Sequence, residues 1–170
     1  MRLNIGVAAM LAALLACGGA AADGKATAEM KGPDGKSIGT LTLTVEGEDI
    51  LVQGELAGLT AGEHAFHIHE TGKCDGPDFK SAGGHYNPEN TKHGKIEGGS
   101  HAGDMDNLVV GGDGSVKIEV ANGLVSLKKG EDGFLLDDDG SAIVIHAKAD
   151  DYKSQPAGDA GGRVACGVIQ

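Results

Sequence analysis

Residues 40–47 read "TLTLTVEG". Leu41, Leu43 and Val45 alternate with Thr40, Thr42 and Thr44, a period of two that sends one set to each face of an extended chain. A helix would scatter both sets around its circumference. Threonine and valine are β-branched and pack well on a pleated surface. The spacing predicts a strand with one face in a core. Outward from it, "SVKIEVANG" (115–123) sets Val116, Ile118 and Val120 opposite Lys117 and Glu119. "EDILVQGELAGL" (48–59), "EHAFHIHE" (63–70), "SAIVIHAKA" (141–149) and "RVACGVI" (163–169) are further strand candidates, and the period holds from Ala26 onward. "GPDGK" (32–36), "GGDGS" (111–115) and "DDDGS" (137–141) punctuate them as turns. Short strands with frequent turns and no helical period give an all-β fold, an antiparallel sandwich or barrel.

Two stretches resist this pattern. Residues 71–107 and 147–162 are polar, glycine-rich and unpatterned. Loops so long need ligands or crosslinks to hold them. The chain has 30 glycines but only four prolines, which speaks for turns rather than disorder. Aromatic residues are few and tryptophan is absent, so Val, Ile, Leu and Ala must build the core.

The N-terminal residues stand apart. Arg2, the apolar run Ile5–Ala16 and the small residues after it read as a secretory leader, too short to span a membrane. Two processing routes are open. Ala20-Ala21-Ala22 offers a cleavage site, making residues 1–22 the signal peptide and 23–170 one mature domain. Alternatively, "LLAC" (14–17) resembles a bacterial lipobox, with Cys17 lipidated as a membrane anchor. On either route the protein is exported. Export leaves Cys74 and Cys166 as the mature pair, and an oxidising compartment favours a bond between them over two buried free thiols. The net charge of −11 gives no nucleic-acid footprint.

All seven histidines lie between positions 64 and 146. In "EHAFHIH", alternation places His67 and His69 on one face with Ala65, and His64 on the other with Phe66 and Ile68. His67 and His69 can therefore share a metal, while His64 reads as a core or hydrogen-bonding imidazole. His85, His93, His101 and Asp104 lie on one irregular segment, and three imidazoles with a carboxylate suit tetrahedral Zn²⁺. His146 ends an apolar strand and offers a third ligand beside His67 and His69. Imidazole-rich surroundings favour Cu²⁺.

"HAFHIHE", "GKC", "GGHYNP", "KHG", "SHAGDM", "IVIHAKADD" and "GDAGGRVACGVI", in this order, resemble the copper,zinc superoxide dismutase family in its exported bacterial branch. The resemblance implies an eight-stranded antiparallel Greek-key barrel or sandwich, immunoglobulin-like, with two long functional loops. It implies copper held by His67, His69, His85 and His146, and zinc by His85, His93, His101 and Asp104, the His85 ring bridging both. Asp150 would join His67 to His93, Arg163 would dock the anion beside copper, and Cys74–Cys166 would be the intrachain disulfide. The implied reaction takes two superoxide anions and two protons to dioxygen and hydrogen peroxide, with His85 and Arg163 as catalytic residues. The chain departs from the family in having Ala65 where glycine is usual. Lys148 and Lys153 are candidates for a positive funnel at the mouth, or ordinary solvated charges. The alternative reading is an exported, non-catalytic copper- and zinc-binding protein. A zinc hydrolase is disfavoured, since no H-E-x-x-H occurs. The assembly is expected to be a monomer or a homodimer.

Overall fold

The computed structural model describes residues 24–97 and 99–170. The expected leader, residues 1–22 with Cys17, lies outside the described residues. Nine strand segments follow one another: β1 (Lys25–Lys31), β2 (Ser37–Glu46), β3 (Asp49–Ala57), β4 (Gly62–His64), β5 (Phe66–His69), β6 (Leu108–Val110), β7 (Ser115–Asn122), β8 (Ala142–His146) and β9 (Arg163–Val168). The only helical element among the described residues is one 3₁₀ turn, Lys80–Ala82.

Seven segments form an antiparallel sheet in the order β5-β8-β9-β1-β2-β3-β7, curled into a half-barrel, and β4 pairs with β6 in a separate ribbon. Residues 62–69 form one run that changes sheet at Ala65, so β4 and β5 count as one strand and the total is eight. β4 hydrogen-bonds to β6, whereas β5 hydrogen-bonds to β8. Ala65 itself bonds outward at both ends of its peptide, its N–H to the Lys148 carbonyl and its own carbonyl accepting from His146 N–H, at 2.8 and 2.9 Å. Its methyl is fully buried without disturbing the flanking pairing.

The period-two pattern predicts the core face well. Leu41, Leu43, Val52, Leu56 and Ile118 are buried, and Thr42, Gln53 and Glu119 occupy the opposite face. Val45 is the exception. It sits at the end of β2, where no second layer covers it, and is half exposed at 50 %. Phe66 and Ile68 of β5 complete the core with Ile143 and Ile145 of β8. The two unpatterned loops fall between β5 and β6 and between β8 and β9. A third irregular segment, 123–141, separates β7 from β8. It has no alternation, and it sends Val125 and Leu135 into the core from irregular backbone.

Cys74, on the first loop, is joined to Cys166 of β9. The bridge closes a separation of 92 residues, for which chain-entropy loss in the unfolded state is worth ~4–5 kcal/mol at most. Its structural effect is to fasten the loop carrying Phe79 and Gly83 against the strand that begins with Arg163.

Candidate metal centre

Strand pairing places the first three imidazoles. β5 is buried on both faces. Phe66 and Ile68 point to the core, so His67 and His69 must point away from it, and His146 lies at the end of the adjacent β8. The long loop returns to run beside β5 like short strands. Tyr86 N–H bonds the Ile68 carbonyl, and Ile68 N–H bonds the Gly103 carbonyl, at 2.9 and 2.8 Å. Isolated bridges pair His69 with His85 and His67 with Asp104. Seemingly shapeless sequence is thereby fixed to the sheet on either side of the histidines.

Two groups of side chains converge. His67, His69, His85 and His146 each offer a ligand atom, all within 4.8 Å of one another, and so do His85, His93, His101 and Asp104. His85 belongs to both groups. The hydrogen bonds then fix where the lone pairs are, because a neutral imidazole has one N–H and one bare nitrogen. His69 Nδ1 donates to the Gly83 carbonyl at 3.0 Å, and His146 Nδ1 to the Gly161 carbonyl at 3.3 Å. Both Nε2 atoms are therefore bare, yet they face each other at 3.3 Å. Asp150 accepts from His67 Nε2 at 2.8 Å and from His93 Nε2 at 3.0 Å. That leaves His67 Nδ1 buried and unpartnered, and sets His93 Nδ1 2.9 Å from Asp104 Oδ2 without hydrogen-bond geometry. His85 Nδ1 faces Asp104 Oδ1 at 2.8 Å, while its Nε2 is buried and unpartnered on the side of His67.

Buried bare nitrogens aimed at one another or at a carboxylate repel unless a cation lies between them. The donor sets fit two cations: four imidazoles suit copper, and three imidazoles with a carboxylate suit tetrahedral zinc. Asp150 is the outer partner that fixes ring orientation in both groups.

The electrostatics keep these donors ready to bind. Burial is the largest influence on His67, His69, His101 and His146, and it lowers each imidazole's pKa; His146 is pushed down to about 3. Burial opposes ionisation of Asp104 and Asp150, but hydrogen bonds from His85, and from His67 and His93, outweigh it. Both carboxyls lie well below the usual range. These shifts carry one sign. Between roughly pH 6.5, where an unfolded imidazole protonates, and about 3 for native His146, the unfolded chain holds more protons than the native one. Stability of the metal-free protein therefore rises with pH across that window and is lost as the pH drops through it. The depressed carboxyls extend the loss below about pH 4. Urea midpoints of the metal-free protein are expected to be lower at pH 5 than at pH 7.5; equal or higher midpoints at pH 5 would contradict the assignment.

Arg163 opens β9 next to His146. Its two terminal nitrogens donate to the carbonyls of Phe79 and Gly83, and Gly83 is also the acceptor for His69. The guanidinium is close enough that its charge disfavours protonation of His69 and His146. Of the two lysines, Lys148 lies 3.7 Å from Asp159, which partly offsets its charge, and Lys153 is exposed. His64 stays outside both groups. It is buried, with Nδ1 2.6 Å from the His146 carbonyl and Nε2 2.9 Å from that of Thr60. The sequence reading missed Gln155, which grips His93, and Gly158, which lies against Asp150.

An antiparallel β frame carrying two convergent ligand sets that share one imidazole defines a dinuclear metalloprotein. The model of the copper/zinc superoxide dismutase (SODC) family matches residues 37–169. The chain belongs to that family. It is 49% identical over 148 residues to the superoxide dismutase [Cu-Zn] of Caulobacter vibrioides, covering 85% of each chain. It is 47% identical to superoxide dismutase [Cu-Zn] 1 of Aquifex aeolicus, over 86% of this chain and 88% of that one. Among solved structures it matches a SOD-like protein from Bacillus subtilis at 39% identity and a TM-score of 0.81, covering 85% of this chain and 97% of that one. The Brucella abortus Cu/Zn superoxide dismutase matches at 31% and 0.70, covering 86% and 99%.

Proposed function

We propose that the chain is an exported superoxide dismutase converting two superoxide anions and two protons to dioxygen and hydrogen peroxide. His67, His69, His85 and His146 are the copper set, and His85, His93, His101 and Asp104 are the zinc set. The observation that carries this is the shared His85, with a bare, buried Nε2 toward one set and Nδ1 toward the other. When bound, copper would supply a one-electron couple and zinc a fixed positive charge.

The chain's own residues do the rest. Arg163, held by two carbonyls, presents fixed positive charge beside His69 and His146, so an anion gains attraction without waiting for a side chain to order. Such local charge matters more than the acidic total, because screening limits reach to ~8–10 Å at physiological salt. His85 Nε2 is placed to hold a proton in one half of the cycle and release it to the departing peroxide in the other. Asp150 keeps the His67 and His93 rings from rotating while this happens. The disulfide fits an oxidising compartment, and a 39% identical relative is the extracellular superoxide dismutase [Cu-Zn] of Caenorhabditis elegans.

Superoxide decay followed with copper- and zinc-loaded protein, before and after chelator, tests the proposal. Acceleration that chelator removes is expected; tight binding of both metals with no acceleration would make the protein a metal buffer instead. Arg163→Ala is expected to lower turnover by roughly tenfold or more through lost local steering, with copper affinity unchanged and less dependence of rate on salt. A variant with parental rate and salt dependence would exclude the docking role.

A further inference from the structure

We propose that Gln155 is a positioning residue for the zinc set, its side-chain amide locking the main chain of His93 in place from the opposite loop. His93 is completely buried, so its peptide groups need partners other than water. Gln155 supplies two from one side chain. Its Oε1 accepts from His93 N–H at 2.9 Å, and its Nε2 donates to the His93 carbonyl at 2.8 Å. The amide is the one side-chain group that offers an acceptor and a donor side by side, matching the N–H and C=O of a single residue.

The clamp differs in kind from the Asp150 contact. Asp150 fixes the His93 ring through Nε2, whereas Gln155 fixes the backbone from which the ring hangs. Both are needed to aim His93 Nδ1, which lies 2.9 Å from Asp104 Oδ2. Gln155 is itself exposed and stands on the 147–162 loop. That loop also walls a cleft of about 340 Å³ shared by Gln155 and His146. The clamp thus ties the wall beside the copper set to a residue of the zinc set. This inference rests on His85, His93, His101 and Asp104 being the zinc set.

Gln155→Ala and Gln155→Glu, made in the disulfide-intact protein, test it through zinc release to a chromophoric chelator and the visible spectrum of Co²⁺ bound in place of zinc. Gln155→Ala is expected to weaken zinc binding roughly ten- to hundredfold, as loss of an outer partner of a metal ligand does. The Co²⁺ bands should shift with copper affinity unchanged, while the unfolding midpoint of the metal-free protein falls modestly because two buried peptide groups lose their partners. Gln155→Glu keeps an acceptor for His93 N–H but has no donor for its carbonyl, so an intermediate loss is expected. Zinc release at the parental rate in Gln155→Ala would overturn the proposal. So would equal losses at both metal sets, which would mark general loosening. If Gln155→Ala does not fold, Gln155→Glu decides by the same readings. A parent chain that binds no zinc would overturn the zinc-set assignment, and this inference with it.

Discussion

His85→Ala is expected to cut dismutation by at least ~10²-fold, the low end of what a positioned proton-transfer group contributes, and to weaken both metal sets at once. The reason is that His85 is the one residue common to both groups. Its removal takes a donor from each set and, on the proposed cycle, the Nε2 that would carry the proton. Loss of the ring also leaves Asp104 Oδ1 without its 2.8 Å partner, which loosens the zinc side further. Chelator competition for copper and zinc, run beside superoxide decay, reads all three consequences. A variant that loses zinc but holds copper at parental affinity would show that the ring does not bridge. His64→Ala, by comparison, removes an imidazole that neither set contains, so its effect on metal stoichiometry should be nil even where stability falls.

Gly158→Ala is expected to disable the centre almost as fully, though the residue carries no functional group. A methyl there would overlap Asp150 Oδ1 and lie 2.8 Å from His93 Nε2. Neither atom can yield cheaply. Asp150 is held from the other side by His67 Nε2 and by Tyr152 N–H, and His93 is buried. The glycine's φ of +66° adds backbone strain for any other residue. The carboxylate must move, and with it the orientation of a ring in each metal set. We expect zinc affinity to drop roughly ten- to hundredfold, with copper affinity and activity falling together. A Gly158→Ala protein with parental metal content and rate would mean that the 147–162 loop repacks without cost.

Much of this molecule was legible because two of its signals are local. Alternation in 40–47 and 115–123 follows from the two faces of a strand, and it located the core face without reference to any partner. The same rule separated His64 from His67 and His69 inside six residues, since successive side chains must point oppositely. It failed at Val45, half exposed near the end of β2, and in 123–141, which buries isolated apolar residues with no period. The loop positions of His85, His93, His101 and Asp104 were readable as a donor set from residue type alone. The assignment of His85 to both sets, and the roles of Asp150 and Arg163, came only through family resemblance.

What the sequence by itself determined is the alternation that makes strands, the donor types suited to two metals, and the pair of cysteines able to crosslink. Tertiary structure alone decided which nitrogen of each ring is bare, since that depends on carbonyls of Gly83 and Gly161 and on a carboxylate up to 83 positions away. It alone decided that Gln155 grips His93 and that Gly158 must lack a side chain. The physical reason is one of range. A strand's two faces are set by neighbouring residues through covalent geometry, whereas hydrogen-bond partners and crowding are set by which distant segments the folded chain presses together.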